Sequence, residues 1–240
     1  MDPLQAATDS ASAISTIGSH FMLAGPTYAR GAEAGFSGLD FYFRGRAGVL
    51  GEVDAGVVAA TLAFFEPTHV RTQWEAGRGV MPAGDAAQLF AACAATWAAE
   101  HVPDDLDAAR LAALAGAVVE RTPEAIAPIF AGWRTLPVPE DPKAAAVHHL
   151  NALRELRFAY HAAAVLTSGL SVLEAMSLRS PHMLQLFGWA EGVPTDGLQE
   201  RWDAAEAQTD VSMARALAVL EDAERAELVE LANALHAATS

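Results

Sequence analysis

Apolar positions recur at three- and four-residue spacing along most of the chain, and no stretch of convincing length alternates apolar with polar as a half-buried strand would. The pattern predicts an all-α fold. Its longest element is the stretch from Asp141 to Gly169, DPKAAAVHHLNALRELRFAYHAAAVLTSG. Asp141 suits an N-cap, Pro142 the first helical position and Gly169 a left-handed C-terminal residue, which predicts a helix over 142–167. At about 100° per residue, Leu153, Leu156 and Tyr160 share one face, Phe158 and Val165 lie nearly opposite, and Leu150 falls between. A helix that is apolar all round is buried. Arg154, Glu155, Arg157 and His161 must then find partners inside the protein or lose their charge.

The other elements are expected around this strut. Residues 1–12 read as polar and frayed, followed by a helix from Ser12 to Leu23 that Gly25-Pro26 stops; Tyr28–Ala34 resumes the pattern. Gly35 to Val53 is rich in glycine and aromatics: Leu39 to Phe43 begins a short helical or extended segment, and Gly45, Gly48 and Gly51 predict a tight loop. Helices follow over Ala55–Phe65 with Asp54 as cap, from Pro67, and over Ala83–His101, Asp104–Arg121 and Pro123–Leu136 with Thr122 as cap. The three prolines of TLPVPEDP make an extended linker, separating an N-terminal helical portion, 1–136, from a C-terminal one, 141–240, within one compact unit. Beyond Gly169 the pattern predicts Leu170–Leu178, a short Pro181–Phe187 helix, a turn-rich GWAEGVPTDG, a helix from Thr195 through Gln208, and one or two more between Val211 and Ala238. The Leu217, Leu220, Leu228, Leu231, Leu235 stripe is expected to form a homodimer interface. SHFMLAGPTYARGAEAGFSGLDFYF and FAYHAAAVLTSGLSVLEAMSL share a His and a Ser-Gly-Leu, a weak internal repeat.

Composition narrows the function. Hydrophobic residues are 52% of the 240 and Ala dominates them, which favours closely packed helices. Thirty acidic against fifteen basic residues give a net charge of −15. The chain as a whole repels a phosphate backbone, and the scattered Lys and Arg form no basic patch, so the balance argues against a nucleic-acid partner. The single cysteine, Cys93, excludes an intrachain disulfide and reads as a small buried apolar residue. No signal-peptide pattern and no uncharged apolar run of about 18 residues occurs, so a cytoplasmic protein without a membrane partner is expected.

The candidate chemistry gathers on the long helix. His20, His148 and His161 lie in apolar, aromatic-flanked settings, and the expected pocket combines His20, Tyr42, Arg46, His148, Arg154, Glu155, Arg157 and His161. In it a carboxylate orients an imidazole while arginines hold an anionic or aromatic small molecule. The alternative is a buried ion-pair network with no ligand. His161, His148 and Glu155 are the candidates for acid-base catalysis, and His20, His148 and His161 the weaker candidates for a metal site, because no HExxH motif is present. No CxxCH motif supports haem attachment. The loop FRGRAGVLG matches neither GxGxxG nor GxxxxGK[ST], and reads as a tight helix corner whose Arg44 and Arg46 are candidate anion binders.

The combination GRAGVLG at 45–51, VDAGVVAATLAFFEPTHV, HHLNALRE, the His161 segment and SGLSVLEAM resembles a large actinobacterial family of all-helical helix-turn-helix proteins with a winged-helix-like C-terminal portion. The likeness covers residues 15–80 and 145–240. It implies a multi-helix body around the long helix and a helix-turn-helix and wing after SGLSVLEAM. There this chain runs through FGWAEGVPTDG into LQERWDAAEAQTD, leaving no room for a recognition helix between Pro181 and Asp196 and making the winged part degenerate. The leading expectation is thus a helical small-molecule-binding protein, a sensor, sequestration or accessory protein. The alternatives are an enzyme of secondary metabolism using the same pocket for acid-base, metal or haem-assisted chemistry, and a transcriptional regulator.

Overall fold

The computed structural model describes residues 1–240 and contains twelve α-helices; 72% of the chain is helical and no residue is in a strand, so the C-terminal part carries no wing. In chain order they are α1 Pro3–His20, α2 Gly25–Glu33, α3 Asp40–Ala47, α4 Ala55–Thr61, α5 Pro67–Arg78, α6 Ala83–His101, α7 Ala108–Arg121, α8 Pro128–Trp133, α9 Pro142–Thr167, α10 Val172–Arg179, α11 Gln199–Leu217 and α12 Asp222–Thr239. No single helix is long and apolar enough to cross a membrane.

The long helix α9 is bounded as its sequence requires. The Asp141 carboxylate accepts from the Ala144 N–H at 2.9 Å, Pro142 opens the helix, and Gly169 adopts φ +78° while its N–H and that of Leu170 close the last turn onto Leu166 and Val165. Helices α1, α6, α7, α8, α10 and α11 pack around it. A core of 52 residues runs from Ala6 to Leu235, so the portions either side of the proline linker share one interior. A second cluster of Phe64, Ala164, Val165, Leu170, Ala175, Met176, Leu184, Leu198 and Ala205 encloses the C-terminal end of α9. Between the two, residues 158–163 are only half-buried, and here the helix meets a cleft.

Several elements depart from expectation for identifiable reasons. Residues 3–12 are helical, because the Asp2 carboxylate caps α1 through Leu4 and Gln5 and the helix docks on α9, α11 and α12. The segment expected to loop at Gly45 is helix α3 and its 3-10 extension to Leu50. Its glycines serve packing: a Cβ on Gly45 would lie 2.6 Å from the Phe90 ring, and one on Gly48 2.2 Å from the Ala83 carbonyl oxygen. Only Gly51, φ +75°, turns the chain there. The helix expected over Pro123–Leu136 shrinks to α8. The Thr122 hydroxyl donates backwards to the Val118 carbonyl instead of capping forwards, and Ile126 sits at φ +59°. Helix α4 stops at Thr61, α7 begins after an Asp107 cap, the Pro181 segment is a 3-10 turn, and α11 starts at Gln199 and runs on to Leu217. Of the stripe expected to form a dimer face, Leu217, Leu220, Leu228 and Leu235 are buried within the protein, where α11 and α12 pack on α1 and α7, and Leu231 is half-buried. The two Ser-Gly-Leu tripeptides do share a turn: Gly38 and Gly169 both take positive φ, ahead of α3 and α10 respectively.

Candidate functional site

The site is built on about two turns of α9, from Arg154 to His161. Glu155 points into α3, where Arg46 meets it bidentately, Nε donating to Oε1 and Nη2 to Oε2, each at 2.8 Å. Both side chains are within 1% of complete burial. The Arg46 Nη1 donates to the Tyr42 hydroxyl at 2.7 Å, its guanidinium lies 4.5 Å above the Phe158 ring centroid, and Trp133 donates to its backbone carbonyl. The neighbouring Arg154 also reaches the carboxylate, Nη1 to Oε1 at 2.7 Å, although adjacent helical residues do not normally face each other. Gly18 makes room for this, since a Cβ there would lie 3.0 Å from Arg154 Cδ.

This triad holds two guanidinium groups against one carboxylate, a net charge of +1, and the Arg154 side chain keeps 15% of its surface exposed where it borders a cleft. Burial opposes ionisation of Glu155, but Arg46 and Arg154 hold its carboxyl below the usual range. Burial likewise works against the Arg46 cation, and Glu155 outweighs it so that the pKa is raised; Arg154 is lowered, first by burial and then by Arg46. The Arg154 Nε is buried and has no partner.

One turn on, Arg157 donates from Nη2 to Glu206 at 2.8 Å and from Nε to Ser15 at 3.2 Å, with Asp210 at 3.4 Å and its Nη1 unpartnered. His161 stacks on Phe64 and meets Trp202 edge-on. Its Nδ1 lies 3.0 Å from the Thr209 hydroxyl, which itself donates to the Ala205 carbonyl at 2.7 Å. The Thr209 proton being committed, its oxygen accepts, so His161 carries its proton on Nδ1 and leaves the Nε2 lone pair free, 3.9 Å from Glu206. Burial lowers the His161 pKa; Glu206 opposes and Arg157 reinforces that shift. A neutral imidazole with a free Nε2 can accept a proton or a hydrogen bond from a bound molecule.

Four hollows meet here, the largest of them 560 Å³ between α4, α8 and α9, lined by Val57, Thr61, Ile129, Glu155 and Phe158. A 250 Å³ cleft is lined by Ser15, Arg154, Arg157, Phe158, His161 and Glu206. Arg154 also forms part of the wall of a 180 Å³ apolar chamber beside Tyr42, Phe65 and Phe187, and Phe158 and His161 back a 210 Å³ hollow with Met176 and Trp202. The largest hollow, 640 Å³, lies elsewhere, between α2 and α6 around Cys93 and Trp97. None of its lining polar atoms is both buried and unpartnered, whereas Asn151, Arg154, Arg157 and Asp210 all hold such atoms at or beside the α9 cleft. That chemistry, not volume, selects the α9 site.

Of the residues expected from the sequence, Tyr42, Arg46, Arg154 and Glu155 form one connected cluster, with Arg157 and His161 on the adjoining turns. His20 and His148 do not join them. His20 packs edge-on to Trp97 at the end of α1, and His148 is buried beside Trp133 and His149. Burial lowers both, His148 to about 4. His20, His148 and His161 thus occupy three separate environments, and no group of three His, Cys, Asp or Glu side chains is placed to hold a metal ion. Arg44 is also elsewhere, paired with Glu52 and lying over Trp74. Sequence reasoning missed Ser15, Glu206, Thr209 and Asp210. The only hint is that Glu206 and Asp210, four apart, share one face of α11.

A second arrangement concerns nucleic acid. Helices α4 and α5 pack together across a five-residue connection, and α5 exposes Thr68, Arg71, Thr72, Glu75 and Arg78. Arg78 is paired with Glu52 and Glu75, which leaves Arg71 as the cation without an ionic partner on that face. Between Pro181 and Leu198 there is a 3-10 turn but no α-helix.

No curated protein and no solved structure matches the chain. The model of the Helix-turn-helix family matches residues 7–191, from α1 through the turn that follows α10, and the chain belongs to that family.

Proposed function

We propose that this member of the helix-turn-helix family binds an anionic small molecule at the α9 cleft, with Arg154 as its charge partner and Arg157, Phe158 and His161 as its surroundings. The observation that carries this reading is the uncompensated charge of the buried triad. Two guanidinium groups share one carboxylate, and the surplus one, Arg154, lines two hollows with its Nε unpartnered. A largely buried guanidinium that shares its one carboxylate with a second guanidinium is only partly compensated, and an anion completes the balance.

Thermal unfolding in the presence of benzoate, phenyl phosphate and the uncharged benzamide tests it. At a hundred times its Kd a ligand stabilises by about 2.7 kcal/mol, or roughly 5–11 °C for a chain of this size. An anion is expected to produce such a shift in the wild type and not in Arg154→Met, and benzamide in neither. Equal shifts in the two proteins, or none with any anion, would overturn the reading.

Family membership favours a second reading, a transcriptional regulator, with α4–α5 as the helix pair and Arg71 and Thr72 on its exposed face. The surface charge opposes it, since the chain carries a net −15. Selection from a random duplex library at 50 mM salt decides between them. Enriched sequences whose affinity falls on Arg71→Ala support the regulator, and no enrichment removes it. The readings combine if an anion at Arg154 changes duplex affinity.

A further inference from the structure

Resting on the anion-site reading above, we infer that the ligand is amphipathic: one anionic head at Arg154 and a slim apolar tail, about six carbons of it held in the chamber between α1, α3 and the Pro181 turn. The chamber is one-sided chemically. Eight of its ten lining residues are hydrophobic, among them Met22, Leu39, Tyr42, Phe65, Met183 and Phe187, and the other two are Ser19 and Arg154. Ser19 has spent its proton on the Thr16 carbonyl at 2.7 Å and can only accept. Arg154 therefore carries the chamber's only charge and its main hydrogen-bond donors. The Tyr42 hydroxyl, which accepts from Arg46 and has no acceptor of its own within the protein, offers one more. A wholly polar anion leaves this apolar wall unfilled, and a hydrocarbon leaves Arg154 without its counter-charge.

The size follows from volume. The chamber measures about 180 Å³; at ~30 Å³ per water-sized group, that is the room of about six such groups. The 250 Å³ cleft that Arg154 also borders is lined by Ser15, Arg157, His161 and Glu206 with Phe158 as its one hydrophobic residue, so it suits the solvated side of the head and not the tail. The head is a carboxylate or a phosphate monoester, both of which a guanidinium binds.

Calorimetric titration of the full chain with butyrate, octanoate, octyl phosphate and octan-1-ol tests the inference. Each buried methylene is worth about fourfold in affinity. Octanoate or octyl phosphate is expected to bind at least tenfold tighter than butyrate, and the tighter of the two identifies the head. Octan-1-ol is expected to bind at least tenfold more weakly than that ligand. Leu39→Trp, which fills the chamber and leaves Arg154 intact, is expected to cost the eight-carbon anions at least tenfold and butyrate less than twofold. Met183→Trp replaces it if circular dichroism shows Leu39→Trp unfolded. Octanoate and octyl phosphate both no tighter than butyrate, octanol equal to them, or a filled chamber that leaves them unaffected overturns the tail while the anion site stands. Failure of every anion to bind overturns both readings together.

Discussion

Arg46 and Arg154 touch the same carboxylate, yet their removal should have opposite consequences. In Arg46→Met the Glu155 side chain, completely buried, loses two hydrogen bonds at 2.8 Å and keeps only the one from Arg154. Breaking a buried pair by deleting one partner costs about 3–5 kcal/mol. For a chain of 150–250 residues each kcal/mol lowers Tm by about 2–4 °C, so a fall of roughly 6–20 °C is expected. In Arg154→Met the bidentate pair is untouched. One hydrogen bond is lost, but so are the repulsion from Arg46 and a buried unpartnered Nε, and methionine fills much of the space in an apolar wall. The net change is expected to stay within about 1 kcal/mol, a Tm change of no more than about 4 °C. Differential scanning calorimetry with urea unfolding followed by circular dichroism measures both. If Arg154→Met costs 3 kcal/mol or more, Arg154 is a strut and the spare-charge argument fails; if Arg46→Met costs less than about 1 kcal/mol, the triad is not the tie described here.

Two further outcomes follow from the interior. Burial holds His148 at about 4 in the fold, against 6.5 when it is free. The unfolded chain therefore takes up a proton that the fold refuses. Stability is unaffected by this group above pH 6.5 and declines as pH falls from 6.5 towards 4, by at most about 3 kcal/mol; His148→Phe is expected to flatten the dependence of the urea midpoint on pH in that window, and an unchanged slope would refute the assignment. Gly48→Ala places a Cβ 2.2 Å from a carbonyl oxygen of α6, backbone that cannot step aside, so a loss of about 2–3 kcal/mol in urea unfolding is expected, and a loss below about 0.5 kcal/mol would show that the α3–α6 contact is looser than this.

What was legible in the sequence was local. Asp141, Pro142 and Gly169 each have one physical use, and together they bound α9; the all-α reading rests on the same kind of periodic pattern. What was illegible was anything that depends on a partner across the fold. Gly45 and Gly48 look alike as turn formers or as contact points, and only the approach of α6 decides which. Thr122 looks like a cap until its hydroxyl is seen to bond backwards. The grouping of Tyr42, Arg46, Arg154 and Glu155 was visible as polar residues stranded in apolar surroundings, because such residues need partners. His20 and His148 meet the same description, but His148 satisfies it by burial in the neutral form and His20 by packing half-buried against Trp97. A histidine can shed its charge and an arginine cannot, so the arginines were the better guides. Ser15, Glu206 and Asp210 were invisible because their helices look solvated until they are folded against α9.

That difference between arginine and histidine also bears on the two functional readings. Of the fifteen lysines and arginines, Arg44, Arg46, Arg157 and Arg225 are buried and Arg154 lies mostly so. A third of the cations of an already acidic chain are therefore withdrawn from the surface. Among the rest, Arg30, Arg78, Arg110, Arg134 and Lys143 are paired with carboxylates. Duplex binding draws its strength from unpaired surface cations that displace counter-ions from phosphate, and on α5 this chain offers Arg71 in that role. A ligand site draws on cations held where water is scarce and each charge counts for more. The buried cations are placed otherwise: Arg154 and Arg157 on α9 and Arg46 on α3 meet the carboxylates of Glu155, Glu206 and Asp210, and Arg154 and Arg157 border a hollow of 250 Å³, the arrangement on which the proposed ligand site rests.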